Sequence, residues 1–493
     1  MHDLPNIRFD NSYARELKGL YLPWTGAVGP APEVLRLNAS LAEELGFDPV
    51  ALSGPGGAAI LSGAVAPDGA MPLAMAYAGH QFGAFSAQLG DGRALLLGEV
   101  VDRTGARRDI HLKGSGRTPF SRGGDGKAAL SPVLREYLFG EAMHALGIPT
   151  TRALAATLTG EEVIRQKGSE KGAVLARVAS SHLRVGTFQF FAARGETAKV
   201  RQLADYAIQR HLSEAAAAPG RYLELFRHVR DVQAALVVQW ILIGFVHGVM
   251  NTDNTTISGE TIDYGPCAFI DGYDPKAVFS SIDQFGRYAY GNQPSIMQWN
   301  LARFAETLID LVNPDDKEDA IRLLTDELSD FPVRYQQLWL TGMRAKLGLF
   351  KELPEDLDLA NSLLLAAAGE HVDYTKLFRS LASLVRGDAA PVRGLFADPA
   401  RLDAWTARYS RRSAEEDINA IARAKAMDGV NPIYIPRNHL VDAALAAAGE
   451  GDMAPFDRLS AVLASPFLLR QEAQAFAEPA PQEFGKFVTY CGT

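Results

Sequence analysis

Residues 245–265 have the sequence FVHGVMNTDNTTISGETIDYG, which concentrates groups suited to catalysis or metal binding: His247, Asp253, Asn254 and Asp263. They stand among small and turn-forming residues, so a loop is expected here. The preceding residues, DVQAALVVQWILIGFVHG, are mostly apolar and predict one buried helix. The following residues, PCAFIDGYDP, predict a loop that leaves the core. The stretch therefore predicts polar groups held at the end of a buried helix.

A buried helix, a polar loop, a short hairpin and Asp-Tyr-Gly together resemble the catalytic and metal loops of kinase-like enzymes. In those loops an Asn and an Asp hold Mg²⁺ on the phosphates of a nucleotide. Aligned with the pattern H-G-D-L-H-x-G-N of many such enzymes, His247 and Gly248 match and Asn254 takes the final Asn. The base position falls on Val249, which cannot accept a proton, while a carboxylate, Asp253, stands beside Asn254. The displacement suggests a kinase-like site with a chemistry other than ordinary phosphoryl transfer.

The bulk properties are those of a soluble globular protein. The 493 residues suffice for a large core and more than one lobe, and 47% of them are hydrophobic and 22% charged. A net charge of −9 argues against bulk nucleic-acid binding but permits a local basic pocket for a phosphorylated ligand. We expect no nucleic-acid partner.

Membrane and export signals are not evident in the sequence. The longest apolar run, residues 234–246, contains Gln239 and is shorter than the roughly 18 residues that span a bilayer, so a buried helix explains it better. The first residues, MHDLPNIRFDNSYARELKG, have neither an apolar core nor an Arg-rich, acid-poor character. We expect a cytoplasmic protein without a membrane partner.

The two cysteines, Cys267 and Cys491, exclude a disulfide framework and a cysteine-based zinc site. Cys267 follows the Asp-Tyr-Gly by two residues, and Cys491 is two residues from the end of the chain. One hypothesis is a redox pair, in which a mobile tail brings Cys491 to Cys267 and gates the site. The alternative is two unrelated thiols in a reducing cytoplasm, where disulfides are rare.

A glycine-rich turn precedes two predicted strands. AQLGDGRALLLGEVV places Gly90, Gly92 and Arg93 before an apolar strand, and DIHLKG predicts a partner strand that ends in Lys113. Such a turn lets backbone amides approach a phosphate or ribose, because glycine has no Cβ to collide. Most such turns are plain hairpins and most lysines are solvated, so each signal alone is weak.

The next segment, SGRTPFSRGGDGKAALSPVLREYLFGEAMHALG, predicts a glycine-rich loop followed by an amphipathic helix. The helix carries Glu136, and a strand lysine followed by a helix glutamate is the kinase arrangement in which an ion pair holds the lysine against phosphates. Alternatively, Glu136 is a surface acid beside Arg135. The loop contributes Asp125 and Gly126, which we expect to close over a nucleotide.

Two arginines, Arg177 and Arg184, lie among small and apolar residues in ARVASSHLRVGTF. Both would be costly to bury unpaired, and the planar fork of donors on Arg suits a phosphate. Either they face an anionic ligand or each pairs with a structural carboxylate.

Seven strings together resemble the selenoprotein O family over about residues 75–440, and more weakly at the C-terminus: GHQFGAFSAQLGDGRALLLGE, HLKGSGRTPFSRGGDGKAAL, LREYLFGEAMHALGIPTTRAL, ARVASSHLRVGTF, HGVMNTDN, TIDYGPCAFID and YGNQPSIMQWNLARF. Eukaryotic members carry selenocysteine near the C-terminus, where this chain has Cys491, as bacterial members do. The resemblance implies a kinase-like fold that transfers AMP, with ATP flipped so that its α-phosphate meets the acceptor.

The resemblance also implies a role for each matching residue. Asp253 would be the general base, and Asn254 and Asp263 would hold Mg²⁺ or Mn²⁺. Lys113 would contact the phosphates of ATP and Glu136 would hold it. The remaining nucleotide-binding residues would be Gly90, Gly92, Arg93, Asp125, Gly126, Arg177 and Arg184.

The expected fold class is α+β: a kinase-like bilobal fold with a small β-rich N-lobe, a large helical C-lobe and extensions at both ends. The predicted boundaries are 1–75 for the N-terminal extension, 76–175 for the N-lobe, 176–440 for the C-lobe and 441–493 for a C-terminal helix and tail. Within the first of these, PEVLRLNASLAEELG predicts a helix and SGPGGAAILSGAVAPDGA a Gly/Ala-rich loop.

The leading hypothesis is a Mg²⁺-dependent transfer of AMP from ATP to Ser, Thr or Tyr hydroxyls of protein substrates. The alternatives are a kinase that uses the γ-phosphate and a catalytically silent pseudokinase that binds nucleotide as a scaffold. Val249 at the base position disfavours the kinase, and the presence of Lys113, Glu136, Asn254 and Asp263 disfavours the scaffold. Transfer of UMP, with Mn²⁺, stays open.

Overall fold

The computed structural model describes residues 4–165 and 168–490, which form an α+β protein. Its strands are β1 (Tyr21–Pro23), β2 (Glu33–Leu37), β3 (Leu73–Met75), β4 (Gly79–Gln81), β5 (Ala84–Ser86), β6 (Ala94–Val101), β7 (Arg107–Lys113), β8 (Ala128–Ala129), β9 (Arg152–Arg165), β10 (Gly168–Ala179), β11 (Phe245–Val246) and β12 (Ala268–Phe269). Its helices are α1 (Ser12–Glu16), α2 (Ala39–Glu44), α3 (Pro49–Ser53), α4 (Pro55–Leu61), α5 (Leu130–Ala145), α6 (Val185–Ala192), α7 (Thr197–His211), α8 (Arg221–Ile243), α9 (Gln293–Val312), α10 (Lys317–Ser329), α11 (Phe331–Leu347), α12 (Asp356–Ala368), α13 (Tyr374–Val385), α14 (Ala390–Arg393), α15 (Ala400–Ser413), α16 (Ala420–Val430), α17 (Asn438–Gly449) and α18 (Ala454–Leu463). Most strands precede residue 180 and most helices follow it.

One antiparallel sheet organises the first part of the chain, with the strand order β1-β3-β6-β7-β10-β9-β2 and with β8 paired to β10. Both faces are covered. Leu96 and Leu175 pack in the same cluster as Leu134 of α5, whereas Leu95 packs in a separate cluster with Ile60 of α4. Burial on both faces explains why β6 is a nearly continuous apolar run. The strands predicted for ALLLGEVV and DIHLK, and the helix that carries Glu136, are confirmed.

The N-terminal residues differ from expectation in two places. PEVLRL, predicted as helical, contains strand β2, and only the following residues form a helix, α2, whose first turn is capped by Asn38 through a 3.1 Å bond from the Leu41 amide. The predicted Gly/Ala loop contains α4, because its Ile60 and Leu61 side chains are buried against the sheet. Strands β1, β2 and β3 of this stretch all belong to the main sheet.

The apolar run before residue 245 forms α8, which ends at Ile243. The prediction of one buried helix is confirmed up to that residue and is wrong for Phe245–Val246, which pair with β12 as strand β11. This pairing closes residues 247–267 into one loop. Two isolated β-bridges anchor the loop, one between Arg184 and Thr256 and one between Thr150 and Thr261. They stand where a short hairpin was predicted. None of the described helices is both long and apolar enough to cross a membrane.

Candidate active site

A cleft of about 560 Å³ lies between the sheet and the loop 247–267. The predicted site residues that line it come from four separate segments: Gly90, Gly92, Arg93, Lys113, Asp125, Gly126, Asp253, Asn254 and Asp263. The fold therefore brings together nine of the twelve residues assigned to the nucleotide, metal and base, although they are up to 173 positions apart. The other three, Glu136, Arg177 and Arg184, are buried close behind the cleft wall.

Lys113 stands at the end of β7 and forms ion pairs with two acids. Its Nζ donates to Glu136 Oε2 at 2.5 Å and also contacts Asp263. Glu136 is 6% exposed, so it is not a surface acid. Its neighbour Arg135 turns away and donates to the backbone carbonyl oxygens of Gly265, at 3.1 Å, and Cys267, at 2.5 Å. The lysine–glutamate pair expected from the kinase arrangement is present in the structure.

The glycine turn packs against the loop that follows Lys113. Gly90 has a φ of +67°, and a Cβ added to it would lie 2.3 Å from the ring of Phe120. A side chain at this position would therefore clash as well as strain the backbone. Ser121 donates to the carbonyl oxygen of Gly92, so the turn and the loop form one wall of the cleft. In the same wall Asp125 accepts a 2.8 Å bond from Arg165.

Asp253 lies in a short 3₁₀ turn, Thr252–Asn254, and is 8% exposed. Its Oδ1 has no hydrogen-bond partner among the described residues. Burial raises the pKa of this carboxyl to about 6, although the positive charge of Arg184 opposes the rise. An aspartate with a raised pKa and a free oxygen in a cleft is equipped to accept a proton.

Asn254 and Asp263 both line the same cleft. The Asn254 amide nitrogen donates to the Val249 carbonyl at 3.1 Å, which leaves its Oδ1 buried without a partner in the described chain. Burial alone would raise the pKa of Asp263, but Lys113, then the buried arginines, hold it well below its usual range. An unpartnered amide oxygen and an ionised carboxylate fit a hard divalent cation, which keeps phosphates and waters for its other ligands.

The described residues contain no cluster of three or more His, Cys, Asp or Glu side chains that would hold a metal. A metal at this cleft would therefore depend on a bound nucleotide for most of its oxygens. Mg²⁺ is commonly bound in this way, through one or two protein groups and the phosphates of the substrate.

Arg177 and Arg184 do not line the described cleft, and they act on it through other residues. Arg177 donates from Nη1 to Glu136 Oε1 at 3.0 Å and lies 3.7 Å from Asp263. Arg184 donates to the Asp253 carbonyl at 2.9 Å and stacks on the ring of Tyr77 at 4.4 Å. Arg177 thus pairs with a structural carboxylate, which was the alternative to a phosphate partner.

Sequence reasoning missed three polar residues beside Asp253. Gln81 and Tyr77 line the cleft, and Asn251 Oδ1 accepts from the Phe82 amide at 3.0 Å and from the Tyr288 hydroxyl at 2.7 Å. The β4–β5 hairpin, GHQFGAFS, is thereby fastened to the loop that carries Asp253. The Gln-Phe-Gly sequence signals a turn, but the contact of this turn with residues about 170 positions later has no local signal.

His247 and Cys267 are buried beside the cleft. His247 donates from Nε2 to the Ile262 carbonyl at 2.8 Å, so it braces the loop. The Cys267 thiol donates to the Tyr264 carbonyl at 3.1 Å, and burial raises its pKa to about 12. Cys491 lies outside the described residues, but nearby Thr489 donates to the Pro266 carbonyl at 2.8 Å, so the described tail ends beside Cys267.

A lysine–glutamate pair, a glycine turn, and the carboxylate of Asp263 beside the amide of Asn254, arranged around one cleft, are typical of a nucleotide-dependent transferase. A family model described as "Protein adenylyltransferase SelO" matches residues 5–464. The chain therefore belongs to this family and is an enzyme of the nucleotidyltransferase class, which uses ATP.

The chain is also similar to curated nucleotidyltransferases along nearly their whole length. The chain is 60% identical over 488 residues to "Protein nucleotidyltransferase YdiU" of Cereibacter sphaeroides strain KD131, covering 99% of this chain and 100% of the relative. It is 55% identical over 491 residues to the protein of the same name from Mycobacterium sp. strain KMS, with the same coverage. A third, from Rhodopseudomonas palustris strain CGA009, is 54% identical over 488 residues, covering 98% of this chain and 99% of the relative.

Proposed function

We propose that the protein transfers AMP from ATP to Ser, Thr or Tyr hydroxyls of other proteins, with Asp253 as general base. The observation that supports this most is the position of Asp253, whose Oδ1 is unpartnered in the described chain and which lines the same cleft as Lys113. Beside it, Val249 lines the cleft where a kinase would carry its base.

The proposed reaction is an in-line substitution at the α-phosphorus. The acceptor oxygen bonds to phosphorus as its proton passes to Asp253, and the bond from phosphorus to the α,β-bridging oxygen breaks to release pyrophosphate. This requires ATP to lie with its α-phosphate towards Asp253 and its β- and γ-phosphates elsewhere in the cleft. Rate enhancement then comes from positioning and charge neutralisation.

The charged groups of the cleft suit that task. Lys113, held by Glu136, supplies a fixed positive charge, and Arg93 on the glycine turn lines the same wall. Asn254 and Asp263 would hold Mg²⁺, or Mn²⁺, which neutralises phosphate charge when bound. Arg177 and Arg184 contribute positive potential from behind the wall.

We further propose that the α+β architecture is a kinase-like bilobal fold with the predicted boundaries, the sheet and α5 forming the N-lobe and the later helices the C-lobe. Support comes from the separation of most strands from most helices near residue 180. The cleft contains residues from both parts, as expected if it lies between two lobes.

Radioactive ATP tests the transfer directly. The protein is incubated with Mg²⁺ and ATP labelled either at the α- or at the γ-phosphate, and labelled protein is measured. We expect label from the α position alone, with modified Ser, Thr or Tyr identified by mass spectrometry. Label from the γ position alone would show a kinase instead, and ATP binding without any label would show a nucleotide-binding scaffold. Parallel reactions with α-labelled UTP and with Mn²⁺ measure nucleotide and metal preference.

We also propose that Cys267 and Cys491 form a redox pair that gates the cleft. Support comes from the described end of the tail, where Thr489 bonds to Pro266, a cleft-lining residue next to Cys267. Free thiols are counted and activity is measured with and without reductant, for the wild type and for Cys491→Ser. Two free thiols in the oxidised wild type would refute the pairing.

A further inference from the structure

His111 is a buried histidine whose two ring nitrogens face two different parts of the cleft wall. It lies on β7 two residues before Lys113, so both side chains project to the same side of the sheet. Its Nε2 is 3.1 Å from Asp91 Oδ2, and its Nδ1 is 3.2 Å from Arg177 Nε. The ring is fully buried and does not line the described cleft.

These contacts fix which nitrogen of His111 carries the proton. Arg177 Nε can only donate, so Nδ1 must accept and Nε2 must carry the proton that is donated to Asp91. Burial, together with the positive charges of Arg177 and Arg184, holds the pKa of His111 well below its usual range. The ring is thus neutral, with one acceptor and one donor, each in use.

The donor end of His111 holds the glycine turn. Asp91 stands between Gly90 and Gly92, which line the cleft, and its Oδ2 also accepts a 3.0 Å bond from the Met75 amide. Its backbone carbonyl accepts a 2.6 Å bond from the Thr118 hydroxyl of the neighbouring loop. The Asp91 carboxylate is therefore one of the groups that hold the turn, beside the backbone bonds of the Leu89, Gly90 and Asp91 amides.

The acceptor end of His111 holds the lysine. Arg177 donates to Glu136 Oε1 at 3.0 Å, and the other oxygen of Glu136 accepts from Lys113 at 2.5 Å. A continuous series of four bonds thus runs from Asp91 through His111, Arg177 and Glu136 to Lys113. Lys113 lines the cleft and Asp91 lies between two glycines that line it, while the middle of the series is enclosed in protein.

A second histidine holds the ring of His111 in place. His182 stacks on it with the ring centroids 4.3 Å apart and the planes 18° from parallel. His182 Nδ1 is 3.1 Å from Asp109 Oδ2, and Asp109 in turn accepts a 2.6 Å bond from Arg210. Rotation of the His111 ring would break this stack as well as both of its hydrogen bonds.

We propose that His111 is a positioning residue, which sets the distance between the glycine turn and the Lys113–Glu136 pair so that both meet the phosphates of one nucleotide. This inference rests on the proposed function, because the phosphates are those of the ATP that donates AMP. His111 itself does not contact the substrate in this proposal.

Two substitutions each remove one of the two hydrogen bonds of His111 and keep the other. In His111→Asn the side-chain oxygen occupies the place of Nδ1 and can still accept from Arg177, but nothing donates to Asp91. In His111→Gln the side-chain nitrogen reaches the place of Nε2 and can still donate to Asp91, but nothing accepts from Arg177. The Asn variant is expected to raise KM for ATP about tenfold with kcat nearly unchanged, and the Gln variant to lower kcat about tenfold with a smaller change in KM.

The matched control is His144→Gln, which changes an exposed histidine on α5 and should leave both constants as in the wild type. Thermal unfolding is recorded for every variant, and if the His111 variants do not fold, Asp91→Ala removes the acceptor of the same bond and should also raise KM. Equal KM and kcat changes in the Asn and Gln variants, or none in either, would overturn the positioning role.

Failure of this inference is distinguishable from failure of the proposed function. The affinity for Mg²⁺ and ATP is measured by calorimetry, without any transfer. A wild type that binds ATP but transfers no AMP contradicts the proposed function, while weaker binding by His111→Asn than by His111→Gln still supports the positioning role. An active wild type with equal affinities in both variants contradicts the positioning role alone.

Discussion

The two walls of the cleft differ in how far their polar groups are already paired. On the sheet side, Lys113 and Glu136 form an ion pair, and Arg177 bonds to the same glutamate. On the loop side, Asp253 and Asn254 each keep one buried oxygen without a partner in the described chain. The side chains of Lys113, Glu136 and Arg177, called the paired wall below, thus bond to one another, whereas those of Asp253 and Asn254, called the unpaired wall, keep oxygens that the described protein does not use.

The difference indicates which wall is scaffold and which is reactive. Buried polar atoms are nearly always hydrogen-bonded, so unpaired oxygens on residues that line a cleft are candidate places for ligands. The paired wall presents fixed positive charge to a nucleotide. The unpaired wall offers oxygens that a metal ion and an acceptor proton can use. Substitutions on the two walls should therefore have different consequences for binding, turnover and stability.

The largest effect is expected from Asp253→Asn on the unpaired wall. The amide keeps the size of the side chain but cannot accept the acceptor proton, so AMP transfer should fall by about a thousandfold. ATP affinity and thermal stability should change little, since the Oδ1 atom bonds to nothing in the described protein. Transfer of α-label and ATP affinity are measured side by side, and retained transfer would remove Asp253 from the role of base.

Compared with Asp253→Asn, the substitution Glu136→Gln on the paired wall should lower turnover less and stability more. The substitution leaves Lys113 and Arg177 facing a neutral group, which should cost about 3 kcal/mol of unfolding free energy. AMP transfer should fall about a hundredfold, because Lys113 loses its fixed position. Urea unfolding and steady-state kinetics measure the two effects, and an unchanged unfolding free energy would show that the buried pair is not structural.

The smallest effect is expected from Gly79→Ala, which tests how exactly Asp253 must be placed. A Cβ at Gly79 would lie 2.4 Å from Asp253 Oδ1, so the base must move by a fraction of an ångström. AMP transfer should fall about tenfold with ATP affinity retained. The matched control is Gly429→Ala in α16, where a Cβ would meet nothing within 4 Å. Equal activity in the two variants would show that the base tolerates displacement.

Local patterns predicted the strand and the helix of the paired wall, and the kinase arrangement predicted the Lys113–Glu136 pair, whereas the partner of Arg177 stayed open. Lys113 ends an apolar strand and Glu136 follows in a helix, and the strand, helix and ion pair are confirmed. Local patterns failed where tertiary contacts override local preference, as in PEVLRL, whose helix-like residues form β2 at the edge of the sheet. The hydrogen bond from the Phe82 amide of the β4–β5 hairpin to Asn251 was also unpredictable, because nothing in either segment indicates that the two are in contact.

The most direct test of the account is a crystal structure with Mg²⁺ and an ATP analogue whose α,β-bridging oxygen is replaced by a methylene group. We expect the α-phosphate to face Asp253, the metal to bond to Asn254 Oδ1 and Asp263, and Lys113 and Glu136 to stay paired. A γ-phosphate facing Asp253, or a metal bound away from Asn254 and Asp263, would contradict this expectation.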